Sequence, residues 1–348
     1  MNSIDLPPYS CSSSFHPRNA VVLQAKYTTN TLHCRRSPAW SSRRISCSSD
    51  GESRVISSKN RPVVILPGLG NNTADYNELK ASLMERGLSV TVAQVSRPDW
   101  LRNALGLLDR NYWSGTLSPR PVLDWYFERI KVAISTAKQQ VEGDMKVSLV
   151  GHSAGGWLAR VYMAEFGIDD IAVLVSLGTP HLPPPKGIPG VIDQTRGLLD
   201  YVNEVCPGSC FAPDVDYICV AGRFVKGERF FSEKRPAVAA TGLGALVATN
   251  EGEIRSVSEL SNSKNDNEKE KQNAISFQSR IVGQGYKQVC GQADVWGDGV
   301  VPQVSAHLDG AKNITLDGVY HSPVGARHPD RPWYGSEGIL EHWIPHLL

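Results

Sequence analysis

No stretch of this chain is apolar for long enough to cross a bilayer, so no transmembrane segment is expected. Charge of one sign is also lacking: the formal net charge is +1, which leaves no general electrostatic reason to bind nucleic acid, and no nucleic-acid partner is expected. Cysteine is scarce. Of seven, Cys11, Cys34 and Cys47 lie near the N-terminus, leaving Cys206, Cys210, Cys219 and Cys290, too few for a disulfide framework. No cysteine and histidine cluster has zinc-ligand spacing, so no metal is expected. Cys219 lies in an apolar run and reads as a buried thiol. Two pairings stay open for the others: Cys206 with Cys210 around a small loop, or one of them with Cys290.

Acid is missing from one region altogether. Between Leu6 and Ser49 there is no Asp or Glu, while Arg18, Lys26, Arg35, Arg36, Arg43 and Arg44 are basic and serine is frequent. An acid-poor, Ser- and Arg-rich leader without an uninterrupted apolar core reads as an organelle transit peptide rather than a secretory signal. Residues 1–55 are therefore set aside as a disordered leader, and Arg44-Ile45-Ser46-Cys47 resembles a plastid cleavage site. The expected location is the chloroplast, in the stroma or at a membrane periphery, ahead of the mitochondrion. An ordinary disordered tail is the plainer alternative.

What is present centres on residues 146–160, KVSLVGHSAGGWLAR. Val147, Leu149 and Val150 are residues of a buried strand, and Leu158, Val161, Tyr162 and Phe166 recur at helical spacing after it. Between them, Gly151-His152-Ser153-Ala154-Gly155 fits G-x-S-x-G, in which small residues on both sides of the serine let strand and helix pack close on a strained turn.

The same alternation continues along residues 60–348. Apolar runs at 62–66, 89–95, 171–177, 217–221 and 313–316 read as strands. Residues 74–86, 121–140 and 335–348 read as helices, and 98–118, with Trp100 and Trp113, as helix and loop above the sheet. Strands alternating with helices in this way predict an α/β domain with a mostly parallel sheet and helices on both faces. Two interruptions read as cap or lid insertions. Residues 182–213 are rich in Pro and Gly; residues 222–291 include a polar, charged segment, 251–273, expected to be disordered. Phe230, Phe231 and residues 237–248 either line a lipid-facing lid or pack as a surface helix.

A serine nucleophile needs a base to take its proton and a third group to orient that base. For this type of turn the chain order is Ser, acid, His. Asp298, in Gly297-Asp298-Gly299-Val300-Val301-Pro302, and His321, in Gly318-Val319-Tyr320-His321-Ser322, lie where loops should leave strand tips. Asp294 is an alternative acid, and Asp317 reads as a strand-end turn residue. His152 should point away from the reacting face, His181 is a candidate pocket residue, and His307, His328, His342 and His346 have surface or packing roles by default.

These motifs resemble the α/β-hydrolase superfamily, and within it the minimal lipase-like branch. The matches are P-G-L-G after the first strand, G-H-S-A-G-G at the turn, L-G-T-P after the next strand, G-D-G-V-V-P, and G-V-Y-H after the last. The segment from Asp298 to His321, with the turn Leu308-Asp309-Gly310-Ala311, is similar to that of small bacterial lipases. The resemblance implies an α/β-hydrolase fold, a catalytic Ser153, Asp298 and His321, and an oxyanion hole made by the backbone N–H groups of Leu69 and Ala154. Such lipases usually carry His where this chain has Pro67, which should stiffen the loop without removing its main-chain donors. The implied activity is hydrolysis of a small-molecule ester or acyl lipid, with transient membrane-surface contact and no cofactor. A thioesterase or acyltransferase would use the same residues, and a non-catalytic ligand receptor could reuse the fold.

Overall fold

The computed structural model describes residues 60–230, 267–326 and 330–348 and, within them, all side chains except those of 267–276. Its strands are β1 (Val63–Leu66), β2 (Val90–Val92), β3 (Val147–His152), β4 (Ile171–Leu177), β5 (Asp216–Arg223), β6 (Val225–Lys226), β7 (Trp296–Gly297) and β8 (Lys312–Asp317). Six of them form a wholly parallel sheet in the order β2-β1-β3-β4-β5-β8, and β6 pairs antiparallel with β7. The described residues belong to one compact unit, Glu52–Leu348.

The apolar runs are continuous because the sheet is covered on both faces. Val64, Leu66, Leu149, Leu174 and Cys219 point to one core, which they share with residues of α2 (Arg110–Ser114), α3 (Asp124–Gln139) and α4 (Ala154–Phe166). Val63, Ile65, Val150, Val175 and Val220 point to the other, with α1 (Asn77–Glu85) and the C-terminal segment. In α3 the buried residues Tyr126, Phe127, Ile130, Ala133, Ile134 and Ala137 form the single stripe that helical spacing requires.

The strand order reverses between β1 and β3, so the crevice at their C-terminal ends is the natural place for a site. Their register, Ile65 opposite Val150 and Leu66 opposite Gly151, brings the loop after β1 level with Ser153.

Residues 182–213 contain α5 (Leu198–Val205), whose Leu198, Leu199 and Val202 are buried. A disulfide joins Cys206 to Cys210, while Cys219 and Cys290 are free, which decides between the two pairings. Arg160 of α4 ties this segment down: its guanidinium donates to the carbonyls of Cys206 (2.6 Å) and His181 (3.3 Å). Burial lowers the pKa of Arg160 to about 10.

Two expectations need correction. The charged segment 251–273 is helical from its residue 267 onward, because α6 (Asn267–Cys290) begins there; residues 251–266 lie outside those described. The Glu, Lys and Gln that make this stretch polar are also good helix formers, and the helix continues to the buried Val282 and Tyr286. The closing helix over 335–348 is two short pieces, residues 337–340 and a 3-10 turn at Ile344–His346. Pro345 has no N–H to continue an α-helix, yet Leu340, Trp343, Ile344 and Leu347 are still buried. The leader 1–55, Phe231, residues 237–248 and His328 also lie outside the described residues.

Candidate active site

Ser153 stands between β3 and α4 at φ 51° and ψ −123°, a conformation that costs a non-glycine residue about 1–3 kcal/mol. The surrounding contacts hold it there. Its N–H donates to Leu177 O (2.9 Å), and its carbonyl accepts from the Thr179 hydroxyl (2.8 Å). Glycine is required beside it: a Cβ on Gly155 would lie 2.3 Å from Leu66 O.

The strained turn leaves Ser153 partly exposed, with its hydroxyl 3.0 Å from His321 Nε2. His321 Nδ1 lies 2.7 Å from Asp298 Oδ2, and the backbone N–H of His321 donates to Asp298 O (3.0 Å). With the aspartate ionised, Nδ1 carries the ring proton and Nε2 is free to accept from serine. Asp298 is 0% exposed. Oδ1 accepts from the amides of Val300 (3.0 Å) and Val301 (2.7 Å), and Oδ2 accepts also from the Tyr334 hydroxyl (2.7 Å). Burial first, then the nearby Asp298, pushes the Tyr334 phenol well above its usual range, so it remains a donor.

The loop carrying Asp298 leaves β7, and α6 braces it. Gly299 N–H donates to the Tyr286 hydroxyl (2.9 Å), which in turn donates to Val225 O (3.2 Å). Close approach makes this possible, since a Cβ on Gly227 would lie 2.7 Å from Gly283 Cα.

The loop after β1 is pinned by three aromatic side chains. Tyr126 donates to Pro67 O (2.6 Å), Trp100 Nε1 donates to Asn71 O (2.8 Å), and Gly68 N–H donates to Tyr76 (2.9 Å). The amides of Leu69 and Ala154 are engaged in no hydrogen bond among the described residues.

The other sequence candidates fall elsewhere. Asp294 pairs with Arg229 (3.0 Å) at the surface, and Asp317 pairs with Arg223 (2.6 Å) at the end of β8. His181 lies in the interior rather than at the surface of the site. It is fully buried, with Nε2 2.9 Å from the Ser176 hydroxyl, and burial holds its pKa well below the ordinary histidine value. His152 is buried behind Ser153, its Nε2 facing the His321 carbonyl. Sequence reasoning missed Tyr76, Tyr286 and Tyr334 as site residues. The available signal was a phenol in an apolar setting, which when buried needs a polar partner. Among the described residues no group of three or more His, Cys, Asp or Glu stands close enough to hold a metal ion.

Comparison with known proteins matches residues 120–198 to the PGAP1-like alpha/beta domain, a span that includes Ser153 but ends before Asp298 and His321. No curated protein matches the chain. Among solved structures the chain is similar to polyneuridine aldehyde esterase, at 22% identity over 43% of this chain and 49% of that one, with a TM-score of 0.26. It thus spans about half the length of that esterase. Aspergillus fumigatus lipase B is similar at 11% identity, over 47% of this chain and 37% of that one, with a TM-score of 0.31. MGS-MChE2, an alpha/beta hydrolase from a lagoon-sediment metagenome, is similar at 14% identity over 83% of this chain and 93% of that one, with a TM-score of 0.33. The parallel sheet in the order β2-β1-β3-β4-β5-β8, covered on both faces and carrying a strained serine between β3 and α4, is an α/β-hydrolase fold.

Proposed function

We propose that this protein is a serine hydrolase of carboxylic esters, in which Ser153 is the nucleophile, His321 the base and then the acid, and Asp298 the group that orients His321. The observation that carries this reading is the hydrogen-bonded chain from the hydroxyl of a partly exposed Ser153 through His321 to a fully buried Asp298. His321 Nε2 takes the Ser153 proton as Oγ attacks the acyl carbon, and Asp298 stabilises the imidazolium that forms. Leu69 and Ala154 N–H groups receive the developing oxyanion, an assignment supported by their lack of other acceptors among the described residues and by Ala154 being the first residue of α4. His321 then gives its proton to the leaving alcohol, and water, activated the same way, releases the acid and regenerates Ser153.

Within that reading the substrate is an acyl lipid met by transient contact with a membrane surface, as in the lipase-like branch of the superfamily. Support comes from the segment Arg97–Leu108 and the helix after it, where Leu101, Leu105, Leu108 and Trp113 are exposed, Leu108 at 86%. Trp100 fastens this apolar surface to the loop after β1. The composition of residues 1–55 supports import into the chloroplast. Turnover of acyl esters of rising chain length by the full chain tests the substrate class. Long-chain esters should be preferred, and a preference confined to short soluble esters would remove the lipid assignment. A reporter carrying residues 1–60 that stayed in the cytosol of plant cells would remove the plastid assignment.

A further inference from the structure

A second buried hydrogen-bond chain runs behind the first and uses neither the Ser153 hydroxyl nor the Asp298 carboxylate. Gly68 N–H donates to the Tyr76 hydroxyl (2.9 Å), that hydroxyl lies 2.7 Å from His152 Nδ1, and His152 Nε2 lies 2.9 Å from the backbone carbonyl of His321. Its direction is fixed by the carbonyl, which can only accept. His152 Nε2 therefore carries the ring proton, Nδ1 presents a lone pair, and the Tyr76 proton points at it. The Tyr76 oxygen is left to accept from Gly68. Tyr76 and His152 are both buried, and burial first, then the neighbouring His321, holds the His152 pKa well below the ordinary histidine value. The chain thus stays neutral with a single proton arrangement.

Its two ends are functionally distinct. Gly68 is the residue before Leu69, and it sits so close to the nucleophile that a Cβ on it would lie 2.8 Å from Ser153 Cβ. Using the Gly68 amide on Tyr76 orients the Pro67–Gly68 peptide, the one immediately before the peptide that carries the Leu69 N–H. At the other end, His321 is gripped on both sides of its Cα, by Asp298 O at its N–H and by His152 at its carbonyl.

We propose that Tyr76 and His152 are positioning residues that hold the oxyanion-hole loop and the general-base loop in fixed relation to each other. The proposal rests on the roles given above to Ser153, His321 and Leu69. Neither side chain would touch the substrate; both act through the backbone of residues that do.

The test uses the full chain, with ester turnover and the rate of Ser153 labelling by a fluorophosphonate as readouts. Tyr76→Phe deletes one oxygen and should lower kcat and the labelling rate about tenfold with KM unchanged, as expected when reacting groups shift by a fraction of an ångström. The combination of Tyr76→Phe with His152→Leu should be no slower than His152→Leu alone, because a chain broken once has little left to lose. His152→Gln, which keeps an N–H near the position of imidazole Nε2, should recover part of the rate lost in His152→Leu. Wild-type kcat in Tyr76→Phe, losses that multiply in the combined variant, or a change in KM alone would overturn the proposal. Should His152→Leu not fold, Tyr76→Phe and His152→Gln decide, each expected to lose kcat at unchanged KM. A wild-type chain unlabelled at Ser153 would refute the site assignment and this proposal together, whereas a labelled wild type with an unaffected Tyr76→Phe removes the positioning role alone.

Discussion

Ser153 is set between two elements of the parallel sheet's core, β3 and α4, whereas Asp298 sits on a loop that a two-stranded ribbon and the helix α6 hold beyond β5. In the first half, position comes from backbone packed on backbone: Gly155 lies against Leu66 O, and Ser153 is hydrogen-bonded to Leu177 and Thr179. In the second half, side chains share the task with backbone: the amides of Val300 and Val301 hold one carboxylate oxygen of Asp298, while Tyr286 and Tyr334 supply hydroxyls to the loop and to the other. A half built from backbone should break by unfolding. One that also leans on side-chain hydroxyls should lose rate when they are removed, while the fold survives.

Asp298→Asn is expected to have the largest effect, a fall in kcat of about 10⁴-fold, because an amide in place of the carboxylate favours the wrong tautomer of His321. It should still fold, since the asparagine carbonyl can accept from Val300 and Val301, with a stability loss of about 1–3 kcal/mol because its NH2 leaves the buried Tyr334 hydroxyl without an acceptor. Asp294→Asn, at the surface ion pair, should leave kcat unchanged. Equal losses in the two variants would erase the distinction drawn between these acids.

Gly155→Ala should act on the other half and by the other route, lowering stability by about 1–3 kcal/mol in thermal or denaturant unfolding, as overpacking against a fixed backbone does. A variant of unchanged stability and reduced kcat would contradict the backbone account. Tyr286→Phe and Tyr334→Phe each leave a backbone amide, of Gly299 and Gly222 respectively, without its hydroxyl acceptor. Each should cost kcat about tenfold, equivalent to about 1.4 kcal/mol, with KM unchanged.

The smallest effect concerns pH. His152 and His181 are held well below the reference value of 6.5, chiefly by burial, so they stay neutral when folded and take up protons when unfolded. Stability from this source is complete above pH 6.5 and falls as pH drops below it, by at most about 1.4 kcal/mol per pH unit for each histidine. His181→Gln should flatten the acid limb of a plot of unfolding free energy against pH, and an unchanged slope would deny His181 its share.

The two halves also differ in how far the sequence disclosed them. The strands, their parallel arrangement and the serine turn could be read because glycines at fixed offsets and unbroken aliphatic runs are local signals. Asp298 and His321 were singled out through chain order, and the structure brings both to Ser153. The support around Asp298 was not legible. Tyr286 lies on a helix whose first turns are so polar that composition argued for disorder, and Tyr334 joins Asp298 across 36 residues of sequence. A phenol's partner depends on tertiary contact, so no local pattern announces it. Pro345, by contrast, was a local signal, and it takes precedence over helical apolar spacing at the C-terminus.

The most direct measurement is active-site titration with a fluorophosphonate, followed by peptide mass analysis, on the wild-type chain and on Ser153→Ala and Asp298→Asn. The account predicts stoichiometric labelling of the wild type on Ser153 alone, none in Ser153→Ala, and slow labelling of a folded Asp298→Asn. Labelling that is absent in the wild type, or that persists at full rate in Asp298→Asn, would contradict it.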